Sequence, residues 1–259
     1  MNNKRPVFDF TDKCILITGA TSGIGLASAE AFASSGAHLV LAGRNSKRGL
    51  ALCKRLRSNG QRVEFVPGDI ADADYCERLV QGAESTLGKL DIVINSAGVA
   101  HHATVDRTTD EQWTNTFEVN VNGTFYVCRA AVPLMKRRGG VIINIASDAA
   151  LSGSEHLVAY CASKGAVLQM SRAMALDHGR DGIRVVAICP GDVDTAMLRG
   201  EYRERGLSLE EGLQQSAQAV PLNRVCSVEE VADLVLFAAG DSGRFINGFP
   251  LVIDGGGRA

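Results

Sequence analysis

Short apolar runs that stop on glycine, proline, asparagine or serine recur along this chain, with helical stretches between them. Residues 13–18 (KCILIT), 38–42 (HLVLA), 63–66 (VEFV), 90–95 (LDIVIN), 140–147 (GVIINIAS), 183–188 (IRVVAI) and 249–253 (FPLVI) form the series. Most are continuous stretches of Val, Ile and Leu. A strand of that kind is buried on both faces, which is the condition of a parallel sheet covered by helices above and below. The intervals read as helix: from the glycines through Phe32, then a basic stretch at 46–58, then 72–87 behind the N-cap residue Asp72. Further helices are expected over 110–117 and on to about 138, over 160–178 and over 228–239. The alternation predicts an α/β fold with a doubly wound, Rossmann-type parallel sheet of about seven strands. No linker or internal repeat divides residues 1–259, so a single domain is expected. Residues 194–222 fit the alternation worst. They are polar and glycine-bearing, and are expected to form a mobile flap over the site.

The first run leads into Thr18-Gly19-Ala20-Thr21-Ser22-Gly23-Ile24-Gly25, a glycine turn that opens a helix. Glycines permit the tight turn and the close approach of a pyrophosphate, and a helix N-terminus supplies free N–H groups. The spacing is G-x-x-x-G-x-G, not the common G-x-G-x-x-G. The second run ends Ala42-Gly43-Arg44, where a dinucleotide fold places its ribose-reading residue. The acid that would hydrogen-bond the ribose of NAD is absent, and an arginine stands beside the vacant position. That favours NADP, with Arg44 pairing the 2′-phosphate. An Arg44 that stacks on adenine instead leaves NAD as the alternative.

Tyr160 and Lys164 sit four apart in a helical stretch, on one face. A lysine beside a phenol favours the phenolate, so Lys164 is expected to lower the Tyr160 pKa toward a useful range for a general acid or base.

The glycine turn and the Tyr160/Lys164 pair together resemble the short-chain dehydrogenase/reductase family, and further matches run from Lys13 to Gly256. Thr18 to Gly25 is similar to the family's T-G-x-x-x-G-I-G, which assigns Gly19, Ser22, Gly23, Ile24 and Gly25 to the cofactor. Asp69 stands where the family has an aspartate beside adenine, followed by Ile70. Asn95-Ser96-Ala97-Gly98 resembles N-N-A-G, with Ser96 as the departure, and adds Asn95, Ala97 and Gly98. Asn120 matches the catalytic asparagine, and Asn122 is held as structural. Ser147 precedes Tyr160 by 13 residues, the family's usual spacing. Pro190 and Gly191, with Val193 and Thr195, match the segment that holds the nicotinamide carboxamide. Asp254-Gly255-Gly256 resembles the end of the C-terminal strand.

The resemblance implies four catalytic residues, Asn120, Ser147, Tyr160 and Lys164. Tyr160 would exchange the proton and Ser147 would hydrogen-bond the substrate oxygen. Lys164 would hold the cofactor ribose, and Asn120 would anchor a water leading protons outward. It also implies a homo-oligomer, tetramer or dimer. The substrate expected is a small secondary alcohol or ketone, such as a sugar, polyol or hydroxy acid. Asp148, Glu155 and His156, in the loop between Ser147 and Tyr160, hint at a hydroxylated or charged molecule. Two alternatives stand. A 3-oxoacyl-carrier-protein reductase would want a basic patch, to which Arg129 and Arg172 could contribute. A non-catalytic dinucleotide sensor would be expected to lack the Tyr/Lys pair.

The net charge is −2, which points to neither nucleic acid nor an anionic membrane as an obligate partner. The seven cysteines are scattered, odd in number and form no C-x-x-C, as expected of reduced thiols in a cytoplasmic protein. Residues 1–6 lead into no apolar segment, and no run of 18 apolar residues occurs, so neither a signal peptide nor a membrane span is expected. His101 and His102 are too few for a metal site and adjacent, so their side chains should diverge; no metal is expected. Trp113 is expected to pack on its helix. Lys136, Arg137 and Arg138 complete a helix dipole.

Overall fold

The first apolar run forms a strand with both faces covered, β1 (Cys14–Thr18), and all five of its residues are buried. The computed structural model describes residues 8–57 and 61–259. The reading of residues 1–6 and the expected helix end at Ser58 lie outside the described residues. Along the chain follow α1 (Gly23–Ser34), β2 (His38–Gly43), α2 (Ser46–Leu56), β3 (Val63–Pro67), α3 (Ala73–Leu87) and β4 (Ile92–Asn95). Next come α4 (Asp110–Phe117), a π-helical turn (Glu118–Gly123), α5 (Thr124–Met135), β5 (Gly140–Ile145), α6 (Val158–His178) and β6 (Ile183–Pro190). The chain closes with α7 (Ala196–Glu204), α8 (Leu209–Gln218), α9 (Val228–Ala239) and β7 (Leu251–Ile253). The strands make one seven-stranded sheet in the order β3-β2-β1-β4-β5-β6-β7, parallel throughout. This is the doubly wound α/β sheet expected.

Neighbouring residues on a strand point to opposite faces, so each continuous apolar run feeds two cores. Ile15 and Ile17 join Phe32 of α1, Leu52 of α2 and Val235 of α9. Leu16, between them, joins Leu79 of α3 and Val127 and Met135 of α5. The strand order reverses between β1 and β4, whose last residues pair Thr18 with Asn95. A crevice opens at such a switch point, beyond the carboxyl ends of the strands.

Two stretches carry detail beyond the expected elements. The helical segments expected over 110–117 and on to about 138 are joined by a π-helical turn around Asn120. There the Asn120 side chain bonds the Val99 backbone, and the Thr124 hydroxyl donates to the Asn120 carbonyl at 2.8 Å. Residues 194–222, the stretch that fits the alternation worst, contain α7 and α8, capped by Thr195 and by a Ser208/Glu211 capping box. Their apolar periodicity is faint because few large apolar residues anchor them. Tyr202 of α7 packs on Gly212 of α8, and its hydroxyl donates to Ser216 Oγ at 2.7 Å. Among the described residues no helix is long and apolar enough to cross a membrane.

Candidate active site

The β1–α1 turn is built to leave backbone donors free. Gly19 has φ +67°, and a Cβ there would lie 2.7 Å from the Ala97 amide nitrogen. Thr18 Oγ1 accepts from the amides of Ser96 (3.2 Å) and Ala97 (3.4 Å), locking the β1 and β4 turns together. A Cβ on Gly25 would collide with the Gly19 carbonyl, so Gly25 serves the packing of helix on turn. Asn45, Asp72, Thr109, Thr195, Ser208 and Ser227 each cap their helices through a side chain. Ser22, at the N-terminus of α1, makes no such bond, which leaves the first amides of α1 for an anion. The donor set fits a dinucleotide pyrophosphate. Gly19→Ala is expected to strain the left-handed turn and press on Ala97. A loss of about 2 kcal/mol or more should appear as a lower melting temperature.

A cleft of about 840 Å³ runs from this turn across the sheet's carboxyl edge. Gly19, Ser22, Gly23, Ile24, Arg44, Asp69, Ile70, Ala97, Gly98, Ser147, Tyr160, Lys164, Pro190, Gly191, Val193 and Thr195 all line it. At one end the exposed Arg44 guanidinium stands 3.8 Å from Asp69 Oδ2, with Arg48 nearby on the wall.

Three expected site residues do not line the cleft. Gly25 lies behind the turn. Asn95 is buried and donates to Asn144 Oδ1 at 2.9 Å, which ties β4 to β5 beneath the floor. Asn120 is buried too. Its Oδ1 accepts from Val99 N–H at 2.8 Å, and its Nδ2 donates to Val99 O and Ser163 Oγ, both at 2.9 Å. Asn120 therefore shapes the wall that carries Gly98, rather than presenting its amide to the cleft.

Ser147, Tyr160 and Lys164 share the central wall. Ser147 Oγ accepts from Ala149 N–H at 3.1 Å and donates to Asp148 Oδ1 at 3.0 Å. Lys164 is buried. Its Nζ donates to Ile145 O at 2.7 Å and lies 5.6 Å from the centre of the Tyr160 ring. Burial pushes the lysine down to about 8 and the Tyr160 phenol up to about 12. The Ser147 hydroxyl opposes the shift of Tyr160, and the Asp148 charge adds to it. The expectation that Lys164 lowers the phenol is thus not met in this state. Desolvation governs both groups, and the ammonium is spent on the Ile145 carbonyl.

At the other end of the cleft His102, already conspicuous in the sequence, meets residues that the sequence did not single out. His102 Nε2 stands 3.1 Å from Glu201 Oε2 of α7, which also pairs with Arg205 at 3.3 Å. His101 turns away to Asn115 Oδ1 at 3.2 Å, so the two histidines diverge. Glu204, Ser154 and Arg258 line the same end. Asp254-Gly255-Gly256-Gly257 is a turn signal, and the turn is what returns Arg258 to the cleft; its destination is not readable from spacing. Trp113 stacks on Phe117 with ring centres 4.8 Å apart. Among the described residues no group of three or more His, Cys, Asp or Glu could hold a metal ion.

Comparison with known proteins agrees with this architecture. The family profile described as short chain dehydrogenase matches residues 13–206. An uncharacterized oxidoreductase of Thermotoga maritima is 37% identical over 253 residues, covering 97% of this chain and 99% of its own. A 3beta-hydroxysteroid dehydrogenase of Mediterraneibacter gnavus is 34% identical over 262 residues, covering 95% of each chain. The solved structure of a short-chain type dehydrogenase/reductase from Mycobacterium ulcerans has a TM-score of 0.89 at 31% identity, covering 96% of this chain and 90% of that one. The chain belongs to the short-chain dehydrogenase/reductase family. It is an oxidoreductase of that family, whose members use nicotinamide cofactors.

Proposed function

We propose that this protein interconverts a small, polar secondary alcohol and its ketone, with NADP preferred over NAD. The observation that carries the reading is the meeting of Ser147, Tyr160 and Lys164 on the wall of the cleft into which the uncapped N-terminus of α1 opens. A bound nicotinamide dinucleotide would supply the hydride-transfer chemistry between carbonyl and alcohol. In reduction, Tyr160 donates its phenolic proton to the substrate oxygen. Ser147 donates a hydrogen bond to that oxygen while negative charge develops on it. Lys164 would hold the ribose hydroxyls, and in oxidation Tyr160 would act as the base. The α1 amides and the glycine turn hold the pyrophosphate.

The exposed Arg44, with Arg48 beside it, supports NADP, since both cations line the α2 end of the cleft and would be available to a 2′-phosphate. Arg44→Ala should raise the KM for NADPH by about 10- to 100-fold and leave that for NADH little changed. Steady-state kinetics with both cofactors checks this; equal effects on the two would remove Arg44 from cofactor choice.

Asp148, Asp192, Glu201 and Glu204 line the cleft, with Arg258 beside Asp148 and His102 beside Glu201. An acid-rich wall favours an uncharged sugar or polyol over a hydroxy acid, and repels an acidic carrier protein. Arg129 and Arg172, the residues a carrier-protein reductase might have used, are not on the cleft wall. Arg129 lies over the rings of Phe125 and Tyr126, and Arg172 bonds Gln169. The presence of Ser147, Tyr160 and Lys164 on one wall weighs against a dinucleotide sensor without catalysis. We also infer a cytoplasmic homo-oligomer, tetramer or dimer. Seven free cysteines suit a reducing compartment. The exposed Phe249 and Val252 at the edge strand β7, and Leu176 on α6, are apolar surface that an assembly would cover.

A further inference from the structure

Arg258 follows a turn that sends the chain back over the cleft. Gly255 (φ +62°) and Gly256 (φ +87°) adopt left-handed backbone. The Asp254 carboxylate accepts from the amides of Gly256 (3.0 Å) and Arg258 (2.9 Å). Gly255 and Gly256 pack against Val220, Pro221 and Leu222 at the end of the α7–α8 segment, so the turn has a fixed seat. From there the guanidinium reaches the loop after β5. Its Nε donates to Asp148 Oδ2 at 3.0 Å, and its Nη2 donates to Ser154 Oγ at 3.0 Å. The other oxygen of the same carboxylate, Asp148 Oδ1, accepts the Ser147 hydroxyl. A continuous line of hydrogen bonds thus runs from Ser154 through Arg258 and Asp148 to Ser147.

Asp148 left alone would oppose the proposed reaction in two ways. A bare carboxylate would hold the Ser147 proton in a charge-assisted bond, when that proton is needed at the substrate oxygen. Its charge would also disfavour negative charge on that oxygen and on the Tyr160 phenol. The other titratable groups acting on Tyr160 are Cys161 on its own helix and Asp192 beyond β6. Lys164 lies at the ring face, and Cys189 at the end of β6 neighbours Lys164 and Asp148. Among the described residues the cation paired with Asp148 is Arg258.

We propose that Arg258 is a positioning residue, neutralising Asp148 so that Ser147 can turn its proton to the substrate oxygen. The proposal rests on the catalytic reading given above. The test is a mutant cycle in the full chain, measured with a substrate that wild type turns over. Arg258→Ala should lower kcat by about tenfold and change KM by less than about twofold. The apparent pKa of the oxidation rate should move upward, since an uncompensated anion beside the phenol disfavours its ionised form. Arg258→Lys should restore part of both, and serves as the second variant if the alanine protein folds poorly. In an Asp148→Asn background, removing Arg258 should change kcat by less than about twofold.

Equal losses in the two backgrounds would reduce Arg258 to an anchor for the tail and overturn the proposal. A raised KM at unchanged kcat would make it a substrate contact and do the same. Tyr160→Phe, run alongside, separates the two levels. If that variant stays active, the catalytic reading fails. If it is inactive while Arg258→Ala is unimpaired, only the role of Arg258 fails.

Discussion

Tyr160→Phe should lower kcat for reduction by about 10²- to 10⁴-fold, the range that a positioned general acid contributes. KM should change little, because the ring and its packing remain. The pH dependence of wild type has a definite sign. Burial holds the phenol up to about 12, so it keeps its proton throughout the neutral range. The acid needed for reduction is therefore present at neutral pH. The base needed for oxidation is scarce there and becomes more abundant as pH rises. Oxidation should accelerate toward alkaline pH, whereas reduction should not, and the difference should vanish in Tyr160→Phe. Rate profiles in both directions check this. An oxidation rate that falls as pH rises through the neutral range would contradict the assignment.

Lys164→Met should abolish most activity and yet raise the melting temperature. The buried ammonium is held down to about 8, from an ordinary 10.5. That difference corresponds to a cost of about 3 kcal/mol for keeping the charge in the fold at neutral pH. A group with a depressed folded pKa contributes most above its unfolded pKa, and its contribution is lost as pH falls through the folded value. The cost is thus fully present below about 8 and fades toward 10.5. Methionine removes it, but leaves the Ile145 carbonyl without its donor, which costs about 1–3 kcal/mol. The balance is a gain of about 1 kcal/mol, or about 2–4 °C in Tm, at neutral pH. The gain should shrink in melts taken at pH values above 8. A Tm lowered at neutral pH would show that the lysine supports the fold, not only the chemistry.

Such a trade of stability for function fits the way the site can be read in the sequence. Residues whose local chemistry is self-contained were legible. The apolar runs located the strands because both of their faces are buried, and Asp72 marked the start of α3 because an N-cap is a local bond. The glycine turn was legible because few other residues tolerate φ +67° at Gly19 with Ala97 so close. What depended on distant partners was not. The break around Asn120 is set by the Val99 backbone, 21 residues earlier. The two helices at 196–218 lean on Tyr202, Gly212 and Ser216, too few apolar anchors to show a period. The sign of the shift at Tyr160 was misread because spacing shows that Lys164 is near, but not that it is buried and engaged by Ile145. Arg258 reaches Asp148 across 110 residues, a distance over which no local pattern speaks.

Hydride transfer in this cleft is expected to be under the control of Tyr160. The most direct test follows the absorbance of reduced nicotinamide while wild type and Tyr160→Phe meet a panel of sugars, polyols, hydroxy acids, acyl thioesters and steroids. NADP(H) and NAD(H) are each supplied in turn. Turnover of an uncharged polyol or sugar is expected, faster with NADP(H) and lost in Tyr160→Phe. Turnover that persists in Tyr160→Phe near the wild-type rate would contradict it.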